Sequence, residues 1–399
     1  MVWPSRRVAQ AEVVAVAARD GSRAKEYAKQ HGIASSYGSY EALLADPDVD
    51  AVYVGLPNGL HGQWARAALE AGKHVLCEKP FTANEEEARE VQALARKRGL
   101  VCREAFHYRE HPLMEHLQSV LCSPGAAGKA AAPGLARRAP VGAPAGTNAG
   151  DDQAALGGVL GRLSAIDVAV LIPKWVFGGA NIRFQETLAG GAAMDAGCYC
   201  LHSIRSLIGG KPQVESATAT LAPNSQVVDG SMRGALRWDD PHRSSIRATF
   251  TASLQHDGLF PTSTISVRGD KGSLQCSNFI MPVFGNFVRL TTRTEAGDTT
   301  TTTTRVYGSG ESTYYYQLSR FVRDVQAVQE AAASGDAGAL VAASNALAEE
   351  GADSIENMRL LDQVYTAAGL APRLPSALAI MRQLSLAKAQ PQETATRLT

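Results

Sequence analysis

The chain has 399 residues and no net charge, because 39 Lys and Arg residues balance 39 Asp and Glu residues. This length predicts two or three domains, and the balanced charge argues against a dedicated nucleic-acid-binding protein or a disordered acidic chain. No apolar run approaches the ~18 residues that suggest a membrane span, no secretory-signal pattern is found near Met1, and the six cysteines form no CxxC pair. We therefore expect a cytoplasmic protein with no membrane partner, no disulfide framework and no metal site.

Short apolar runs alternate with helix-like segments at the beginning of the chain. The runs predict buried strands at residues 11–17, 51–54, 74–77 and 100–106. Helices are predicted to begin near residues 22, 39 and 61, and a fourth begins at a capping box formed by Thr82 and Glu85. This alternation predicts parallel strands joined by crossover helices, with ligands bound beyond the carboxyl ends of the strands. The loops 18–21, 55–61 and 78–82 are therefore the candidate ligand-binding loops.

The composition changes twice after this region. Residues 122–158 are rich in Ala, Gly and Pro, which predicts a flexible insertion without a core of its own. The chain then becomes rich in strand patterns, with one helix predicted at 194–207 before most of them. The predicted strands are 162–171, 214–221, 232–238, 245–254, 264–269, 273–276, 287–292 and 300–307. The predicted closing helices are 314–332, 338–350 and 352–368, and in the tail only 377–386 has a helical pattern.

Four motifs occur in an order that is typical of one family. Glu78-Lys79-Pro80 follows a predicted buried strand, behind a helix that ends Ala-Gly-Lys-His. Residues 57–61 form a Pro-Asn-x-x-His loop, residues 190–199 contain Gly-Gly…Asp-x-Gly-x-Tyr, and residues 353–359 match the family's C-terminal helix. With these motifs the chain resembles the Gfo/Idh/MocA family of sugar oxidoreductases. The resemblance covers residues 11–121 and 160–371.

The resemblance extends to one branch of this family. Tyr199 stands where inositol dehydrogenases carry a His. Together with Arg19 and the segments 105–109 and 198–200, it makes the chain similar to the branch of NADP-dependent D-xylose 1-dehydrogenases and dimeric dihydrodiol dehydrogenases.

The family implies an α/β domain followed by an α+β domain. Residues 1–121 would form a Rossmann-type parallel sheet that binds NAD(P) and lacks its first strand. Residues 159–371 would form an open, mostly antiparallel sheet with helices on one face, which serves as the interface of a homodimer. The insertion 122–158 and the tail 372–399 complete the expected organisation, and the active site would lie between the two domains.

The family assigns the chemistry to Lys79, Tyr199 and Asp195. Oxidation of an alcohol needs a base for the hydroxyl proton, and an ammonium beside a Tyr would favour the phenolate and lower its ordinary pKa of roughly 10. Lys79 and Tyr199 would form this acid/base pair, and Asp195 would orient the sugar hydroxyl or Lys79. Pro80 would fix the turn that aims Lys79, with a cis peptide bond as one means. Taken singly, the three residues also fit a solvated strand-end lysine, a core tyrosine and an acid in a first helical turn.

Two histidines complete the predicted substrate-binding set, which is Lys79, His107, Asp195, Tyr199 and His202. His202 lies three residues after Tyr199 and therefore on the same helix face, where packing is an equal alternative. His107 is also explained as a structural residue at the end of a strand.

Arg19 follows the first predicted strand, at the position where Rossmann domains distinguish their dinucleotides. An acid there binds the ribose 2′-hydroxyl of NAD, whereas an Arg accommodates the 2′-phosphate of NADP. Arg19 favours NADP, whereas Asp20 could bind a ribose instead, and an exposed turn of charges remains the structural alternative. The complete predicted cofactor-binding set is Arg19, Ser22, Leu56, Pro57, Asn58, His61, Glu78 and Lys79.

The sequence departs from the family at the phosphate-binding loop. The expected Gly-x-Gly-x-x-Gly/Ala run, which precedes the strand at 13–18 in the family, is not found before it here. We expect either a sequence that begins after this loop or a damaged paralogue. Without the family's first strand, two neighbouring strands would lack a partner.

The predicted function is oxidation of an aldopyranose by NADP, with D-xylose and its product D-xylono-1,5-lactone as the specific prediction. Oxidation of trans-1,2-dihydrobenzene-1,2-diol is the alternative within the same class of enzyme. A non-catalytic regulator that binds a dinucleotide is the alternative in another class. The expected partner is thus a small molecule and not a nucleic acid.

Overall fold

The computed structural model describes residues 1–122, 156–178, 181–223 and 225–381. Most of the predicted insertion and the end of the predicted tail helix lie outside the described residues. Of that tail helix, residues 376–381 are described and are helical.

The first part of the chain alternates strands and helices as its sequence pattern predicts. The helices are α1 (Val2–Ser5), α2 (Gly21–His31), α3 (Tyr40–Leu44), α4 (His61–Glu70), α5 (Glu85–Arg98) and α6 (Pro112–Cys122). The strands are β1 (Ala15–Ala17), β2 (Ser35–Tyr37), β3 (Ala51–Val54), β4 (His74–Glu78) and β5 (Cys102–Ala105). Strand β2 and helix α6 are additions to the predicted elements. The Rossmann-type fold class is confirmed.

These five strands form two separate parallel sheets. One sheet pairs β1 with β2, and the other has the order β3-β4-β5. Among the described residues, β1 pairs with no strand except β2, and β3 pairs with no strand except β4. This arrangement agrees with the expectation that two neighbouring strands lack a partner.

The beginning of α5 differs from the predicted capping box. Asn84, not Thr82, is the N-cap residue, and its side chain accepts a hydrogen bond from the backbone N–H of Glu87. The Glu87 carboxylate in turn accepts from the backbone N–H of Ala83, and the Thr82 hydroxyl donates to the carbonyl of Asn84. The same reciprocal satisfaction of backbone donors therefore occurs two residues later than the sequence pattern suggested.

The second part of the chain contains an eight-stranded sheet. Its strands are β6 (Leu163–Pro173), β7 (Gln213–Leu221), β8 (Asp229–Arg237), β9 (Arg247–His256), β10 (Thr262–Gly269), β11 (Gly272–Ser277), β12 (Phe287–Arg293) and β13 (Thr299–Thr304). The order is β13-β12-β11-β10-β6-β9-β8-β7, in which only β6 and β9 are parallel. The predicted open, mostly antiparallel sheet is thus confirmed.

Three longer helices accompany this sheet: α7 (Cys198–Ile208), α8 (Thr313–Ser334) and α9 (Ala337–Ala367). The sequence predicted two helices where α9 is continuous. Gly351 lies within α9 where it passes close to α5, and a Cβ at this position would come within 2.6 Å of the Gln92 side-chain oxygen. The glycine that looked like a helix end therefore permits a close helix–helix approach.

The core is continuous from one part of the chain to the other. Helix α7 packs against β6 and β9, while α9 packs against α5, β5 and β7. The largest cluster of buried apolar side chains includes residues from both parts, such as Val75, Phe106, Tyr199 and Phe250. Burial of this apolar surface fixes the position of α7 relative to the ends of β4 and β5. No helix among the described residues is long and apolar enough to cross a membrane.

Candidate active site

Most of the predicted functional residues of the first part follow the carboxyl ends of parallel strands. Arg19 follows β1, Leu56 follows β3, Lys79 follows β4 and His107 follows β5. A parallel sheet presents its strand ends on one edge, where a following helix also directs its backbone N–H groups. Leu56, Lys79 and His107 therefore lie at the ligand-binding edge of the β3-β4-β5 sheet, and Arg19 lies at the corresponding end of the β1-β2 sheet.

Lys79 forms a buried ion pair with Asp195 of the second part. Its Nζ lies 3.0 Å from Asp195 Oδ1 and 2.9 Å from the backbone oxygen of the same residue. Asp195 lies in a π-helical turn, Ala193–Gly197, that directly precedes α7. Such wide turns often occur at functional sites because they break the regular pattern of helix hydrogen bonds. Two of the three predicted catalytic residues are thus in direct contact across the junction of the two parts.

A second cation completes this charge arrangement. Arg183 Nε lies 2.8 Å from Asp195 Oδ2, so the carboxylate has one cation on each oxygen. The guanidinium also lies 4.2 Å from the centre of the Phe177 ring and remains about one-third exposed. No sequence pattern marked Arg183, because it lies in a short 3-10 turn, Ile182–Phe184, without hydrophobic periodicity.

These contacts set the ionisation of the pair. Burial alone would lower the pKa of Lys79, but the Asp195 carboxylate reverses the effect and raises this pKa above its ordinary value. Burial would raise the pKa of Asp195, but the charges of Lys79 and Arg183 hold it below its ordinary value. Both groups are therefore charged at neutral pH.

The turn after Lys79 is fixed by a histidine. The Lys79–Pro80 peptide bond is cis, in agreement with one of the expectations from the sequence. The carbonyl of Pro80 lies 2.8 Å from His61 Nδ1, and the carbonyl of Leu56 lies 2.7 Å from His61 Nε2. His61 is buried and joins the loops after β3 and β4. It therefore positions both loops, instead of presenting its ring to a ligand.

Tyr199 is buried on α7 beside Lys79. The Lys79 ammonium lies 4.9 Å from the centre of the Tyr199 ring, and the phenol oxygen lies 3.2 Å from His107 Nε2. His107 Nδ1 lies 2.9 Å from the Thr313 hydroxyl, and its ring stacks on Tyr314 at 4.4 Å. His107 is thus buried, as its expected structural role requires, and it touches the predicted acid/base group. Its substrate-binding role stays a prediction.

The pKa of Tyr199 differs in direction from the sequence expectation. Burial, and then the Glu78 carboxylate, raise this pKa well above its ordinary value. The Lys79 ammonium was expected to lower it, but this charge is already compensated by Asp195. Tyr199 is therefore a neutral phenol at neutral pH in the structure.

His202 lies deeper than substrate contact would require. Its Nδ1 lies 2.5 Å from the Tyr108 hydroxyl, its Nε2 lies 3.2 Å from an oxygen of Asp353, and its ring stacks on Phe106 at 4.4 Å. Both ring nitrogens face protein groups and the side chain is almost fully buried. The geometry favours the packing role of His202 over the substrate-binding role.

A buried network of charges holds the segment that carries His107. Arg103 of β5 pairs with Asp324 of α8 and lies 3.3 Å from Glu350 of α9. Arg109 makes a two-pronged contact with Glu350, at 2.5 and 2.9 Å, and lies 3.3 Å from Asp353. Paired arginine–carboxylate contacts of this kind fix geometry as well as contributing energy. The network therefore ties the end of β5 to both long C-terminal helices.

The remaining predicted cofactor residues lie at two strand ends. Pro57 and Asn58 stand in the loop between β3 and α4, where the Asn58 amide donates to the carbonyl of Ala189 at 3.1 Å. Glu78 ends β4, and its carboxylate accepts hydrogen bonds from the Tyr53 hydroxyl and from the backbone N–H of Lys79. The Asn58 contact connects the loop after β3 to the second part of the chain, and the Glu78 contacts connect β3 to the end of β4.

Arg19 borders an opening at the end of β1, and the predicted cofactor residue Ser22 is not among the residues that line it. A cavity of about 940 Å³ is lined there by Arg19, Asp20, Arg23, Tyr40 and Gly55, among others. The Asp20 carboxylate is the N-cap of α2, since it accepts from the backbone N–H groups of Ser22 and Arg23 and from the Ser22 hydroxyl. The helix end therefore engages Asp20, while Arg19 is exposed.

A buried cluster that the sequence did not indicate anchors the helix of Asp195. Asp229 of β8 accepts hydrogen bonds from the backbone N–H of Ala193, from the Tyr365 hydroxyl and from Arg373. Gly191 has a φ of +138°, and a Cβ there would lie 2.1 Å from an Asp229 oxygen. Only glycine fits this close approach, which explains the second glycine of the Gly-Gly pair that precedes Asp195.

Replacing Asp229 with Ala should lower the free energy of unfolding by about 3–5 kcal/mol, because it leaves the buried Arg373 guanidinium without its partner carboxylate. Urea denaturation of the purified variant measures this change. Asp239→Ala removes an exposed pair with Arg237 and should change the stability by less than about 1 kcal/mol. Equal effects of the two substitutions would contradict the anchoring role.

Comparison with known proteins agrees with this fold and site. Residues 4–106 match the oxidoreductase family described as NAD-binding Rossmann fold, and residues 153–275 match the GFO/IDH/MocA C-terminal domain. The first match covers the part of the chain with the parallel sheets, and the second begins before the antiparallel sheet and covers its strands up to β11. The chain therefore belongs to the Gfo/Idh/MocA family.

The relatives that match include two kinds of dehydrogenase. D-xylose 1-dehydrogenase (NADP(+)) 2 of Haloferax volcanii is 35% identical over 62% of this chain and 65% of its own length. The trans-1,2-dihydrobenzene-1,2-diol dehydrogenase of Bos taurus is 35% identical over 66% of this chain and 65% of its own length, and that of Xenopus laevis is 32% identical over 67% and 68%. The chain thus covers about 65% of the length of the first two relatives.

Solved structures share the fold. KijD10, a 3-ketoreductase from Actinomadura kijaniata determined with NADP and TDP-benzene, has a TM-score of 0.70 at 23% identity, with 92% of each chain covered. An oxidoreductase domain protein from Kribbella flavida has a TM-score of 0.66 at 19% identity, covering 92% of this chain and 93% of that one. At these identities the likeness establishes the two-part architecture alone.

Proposed function

We propose that the protein is an NADP-dependent dehydrogenase that oxidises an aldopyranose, with D-xylose as substrate and D-xylono-1,5-lactone as product. The observation that carries the proposal is the Lys79–Asp195 ion pair beside Tyr199, where the end of β4 meets α7. A phenol next to a fixed ammonium, at the carboxyl edge of a parallel sheet, can exchange a proton with a substrate hydroxyl. The two kinds of dehydrogenase among the relatives, both of which act on hydroxylated rings by name, support this reaction class.

The residues at the end of β1 fit one end of NADP. Two guanidinium groups, Arg19 and Arg23, line the 940 Å³ cavity together with the carboxylates Asp20 and Glu26. The Asp20 carboxylate, which directly follows Arg19, is engaged by the end of α2. Arginine matches the geometry of a phosphate better than any other side chain. At the other end, the loops after β3 and β4 would border the nicotinamide, which supplies a hydride acceptor when bound.

The chain's own residues would handle the proton. Lys79 would orient the substrate hydroxyl toward the Tyr199 oxygen, and Asp195 and Arg183 would hold Lys79 in a charged, fixed state. In oxidation the Tyr199 phenolate would accept the proton of the reacting hydroxyl and, as the phenol, release it to solvent before the next turnover; in reduction the phenol would donate its proton to the substrate oxygen. Burial of Tyr199 would keep water from competing for this proton.

The direct test is an assay of the whole chain with NADP and D-xylose, followed by absorbance of the reduced cofactor. We expect reduction of NADP with D-xylose and slower reduction with epimeric aldoses. trans-1,2-Dihydrobenzene-1,2-diol is the alternative substrate, favoured by the several relatives of that name. A lack of reduction with every aldose and dihydrodiol would refute the enzyme function.

A non-catalytic dinucleotide-binding regulator remains the alternative in another class. The observation that favours it is the absence, among the described residues, of a strand that pairs with β1 and β3 and leads into a glycine-rich phosphate loop. Calorimetry of NADP binding, combined with the turnover assay, separates the two functions. A regulator binds NADP but reduces none of it with any substrate. Retention of Lys79, Asp195 and Tyr199 in one contact cluster favours the enzyme.

Replacing Arg19 with Ala should weaken NADP binding about tenfold or more, because a charge-assisted hydrogen bond contributes about 1.5–3 kcal/mol. Binding of NAD, which has no 2′-phosphate, should change less than about threefold. Titration calorimetry measures both affinities without turnover. Lys25→Ala removes one positive charge from the same helix, away from the cavity-lining residues named above, and should affect neither. A similar loss for NADP and NAD would show that Arg19 does not select the phosphate.

We also propose that two copies associate through the eight-stranded sheet. Helix α7 packs against β6 and β9 of this sheet, which with eight strands is the largest sheet among the described residues. Light scattering should then give twice the chain mass of 42.2 kDa, and a mass of one chain would contradict the homodimer.

A further inference from the structure

We propose that a buried chain of three residues, Thr313–His107–Tyr199, sets the protonation state of Tyr199, with His107 as the positioning residue. Tyr199 has the role given to it in the proposed function, on which this inference rests. The chain joins three distant parts of the sequence: α7, the segment after β5 and the first residue of α8. It would stabilise the phenolate that accepts the substrate proton.

Contacts at both ring nitrogens and on one ring face fix the position of His107. Its Nε2 lies 3.2 Å from the Tyr199 oxygen and its Nδ1 lies 2.9 Å from the Thr313 hydroxyl. Tyr314 stacks on one face of the ring, with 23° between the planes. His107, Tyr199 and Thr313 are all buried, so the ring cannot reach bulk water from this position.

Thr313 selects one tautomer of His107. A neutral imidazole carries one N–H, so only one of its nitrogens donates. Among the described residues, His107 Nδ1 is the hydrogen-bond contact of the buried Thr313 hydroxyl, whose proton would otherwise lack an acceptor. The hydroxyl therefore donates to Nδ1, and the ring proton lies on Nε2, directed at Tyr199.

This tautomer suits both states of Tyr199. The phenolate can only accept, so it needs the Nε2–H as donor. The phenol oxygen can accept the same hydrogen bond while its own O–H is free to point at a substrate oxygen. The proton that leaves the substrate hydroxyl goes to the Tyr199 oxygen, and His107 remains neutral throughout. Burial, and then the neighbouring Lys79 ammonium, lower the pKa of His107 to about 3 and so disfavour a charged imidazole.

Several charged and titratable groups surround Tyr199, and among them His107 is the neutral hydrogen-bond donor next to the Tyr199 oxygen. The groups that face Tyr199 or affect its ionisation come from four segments of the chain: Lys79 and Glu78, His107 and Tyr108, Asp195 and Cys198, and Tyr314. Glu78 and Asp195 oppose the phenolate, and the Lys79 charge is shared with Asp195. A hydrogen bond donated by His107 would therefore stabilise the phenolate form of Tyr199.

The test measures the ionisation of Tyr199 directly. With 3,5-difluorotyrosine at position 199 of the whole chain, ¹⁹F NMR follows the titration of this one phenol, and fluorination brings that titration to lower pH. His107→Phe retains the stacked ring but removes the donor, and we expect the pKa at position 199 to rise by about one to two units. Thr313→Val removes only the selecting hydroxyl and should raise it by a smaller amount.

Conservative variants control for packing. Thr313→Ser keeps the hydroxyl and His107→Gln keeps a donor near the Nε2 position, so both should titrate close to the parent protein. If His107→Phe does not fold, comparison of the Thr313→Val and Thr313→Ser proteins still tests the proposal. Equal titration of the Thr313→Val and Thr313→Ser proteins, or of His107→Phe and the parent, would overturn the proposal. The NMR titration needs no turnover, so a failure of the dehydrogenase assay is a separate outcome.

Discussion

Replacing Lys79 with Met should lower kcat for oxidation of the sugar by about a thousandfold, a loss within the range typical of general acid–base groups. The substitution keeps the length of the side chain but removes the ammonium that lies 3.0 Å from Asp195 and 4.9 Å from the Tyr199 ring. Without this charge the substrate hydroxyl loses its fixed donor. Steady-state kinetics with saturating NADP measures the change.

The fold should survive this substitution, because Arg183 remains bound to the Asp195 carboxylate. We expect the melting temperature to fall by only a few degrees and the affinity for NADP to change little. Lys73→Met is the matched control, since Lys73 is a partly buried lysine of the same domain whose ammonium contacts only the carbonyl of Asp46 among the hydrogen bonds observed in the described residues. If Lys79→Met retains most of the activity while folded, Lys79 has no part in the reaction.

Replacing Tyr199 with Phe should abolish most turnover, with kcat lower by about 10²- to 10³-fold, and leave NADP binding nearly intact. The ring remains to pack beneath Lys79 and against Phe106, so only the oxygen that exchanges the proton is lost. Parallel measurements of kcat and of NADP affinity by calorimetry distinguish loss of chemistry from loss of binding.

The matched control for this substitution is Tyr316→Phe. Tyr316 contacts Ser309 near the beginning of α8 and lies outside the hydrogen-bonded chain of Tyr199. Its loss should leave the rate unchanged. If Tyr199→Phe is as active as the parent protein, Tyr199 takes no part in the mechanism and another group must transfer the proton.

Much of the fold could be predicted because apolar periodicity depends on local sequence. The strands β3 and β4 and the helix α2 occur almost exactly where the pattern placed them. Strand β2 could not be predicted in this way, since Ser35–Tyr37 is three residues long and mostly polar. The continuity of α9 through Gly351 depends on its packing against Gln92, a contact that no local pattern contains.

The candidate site was predictable where motifs carry the information. Lys79, Asp195 and Tyr199 were predicted to act together, and they are in contact. Arg183 and Thr313 were not foreseen, because each acts through one long-range contact and neither lies in a distinctive pattern. The role of His202 was undecided for the same reason, since its surroundings include Tyr108 and Asp353, which are distant in sequence.

The central claim is that this chain transfers the hydrogen at C1 of an aldopyranose to NADP while its own residues take the hydroxyl proton. The most direct measurement uses D-xylose deuterated at C1, with the whole chain and NADP, and mass spectrometry of the reduced cofactor. We expect one deuterium in each reduced cofactor and a slower reaction than with unlabelled sugar. Reduced cofactor without deuterium, or no reduced cofactor from any aldose or dihydrodiol, would contradict this claim.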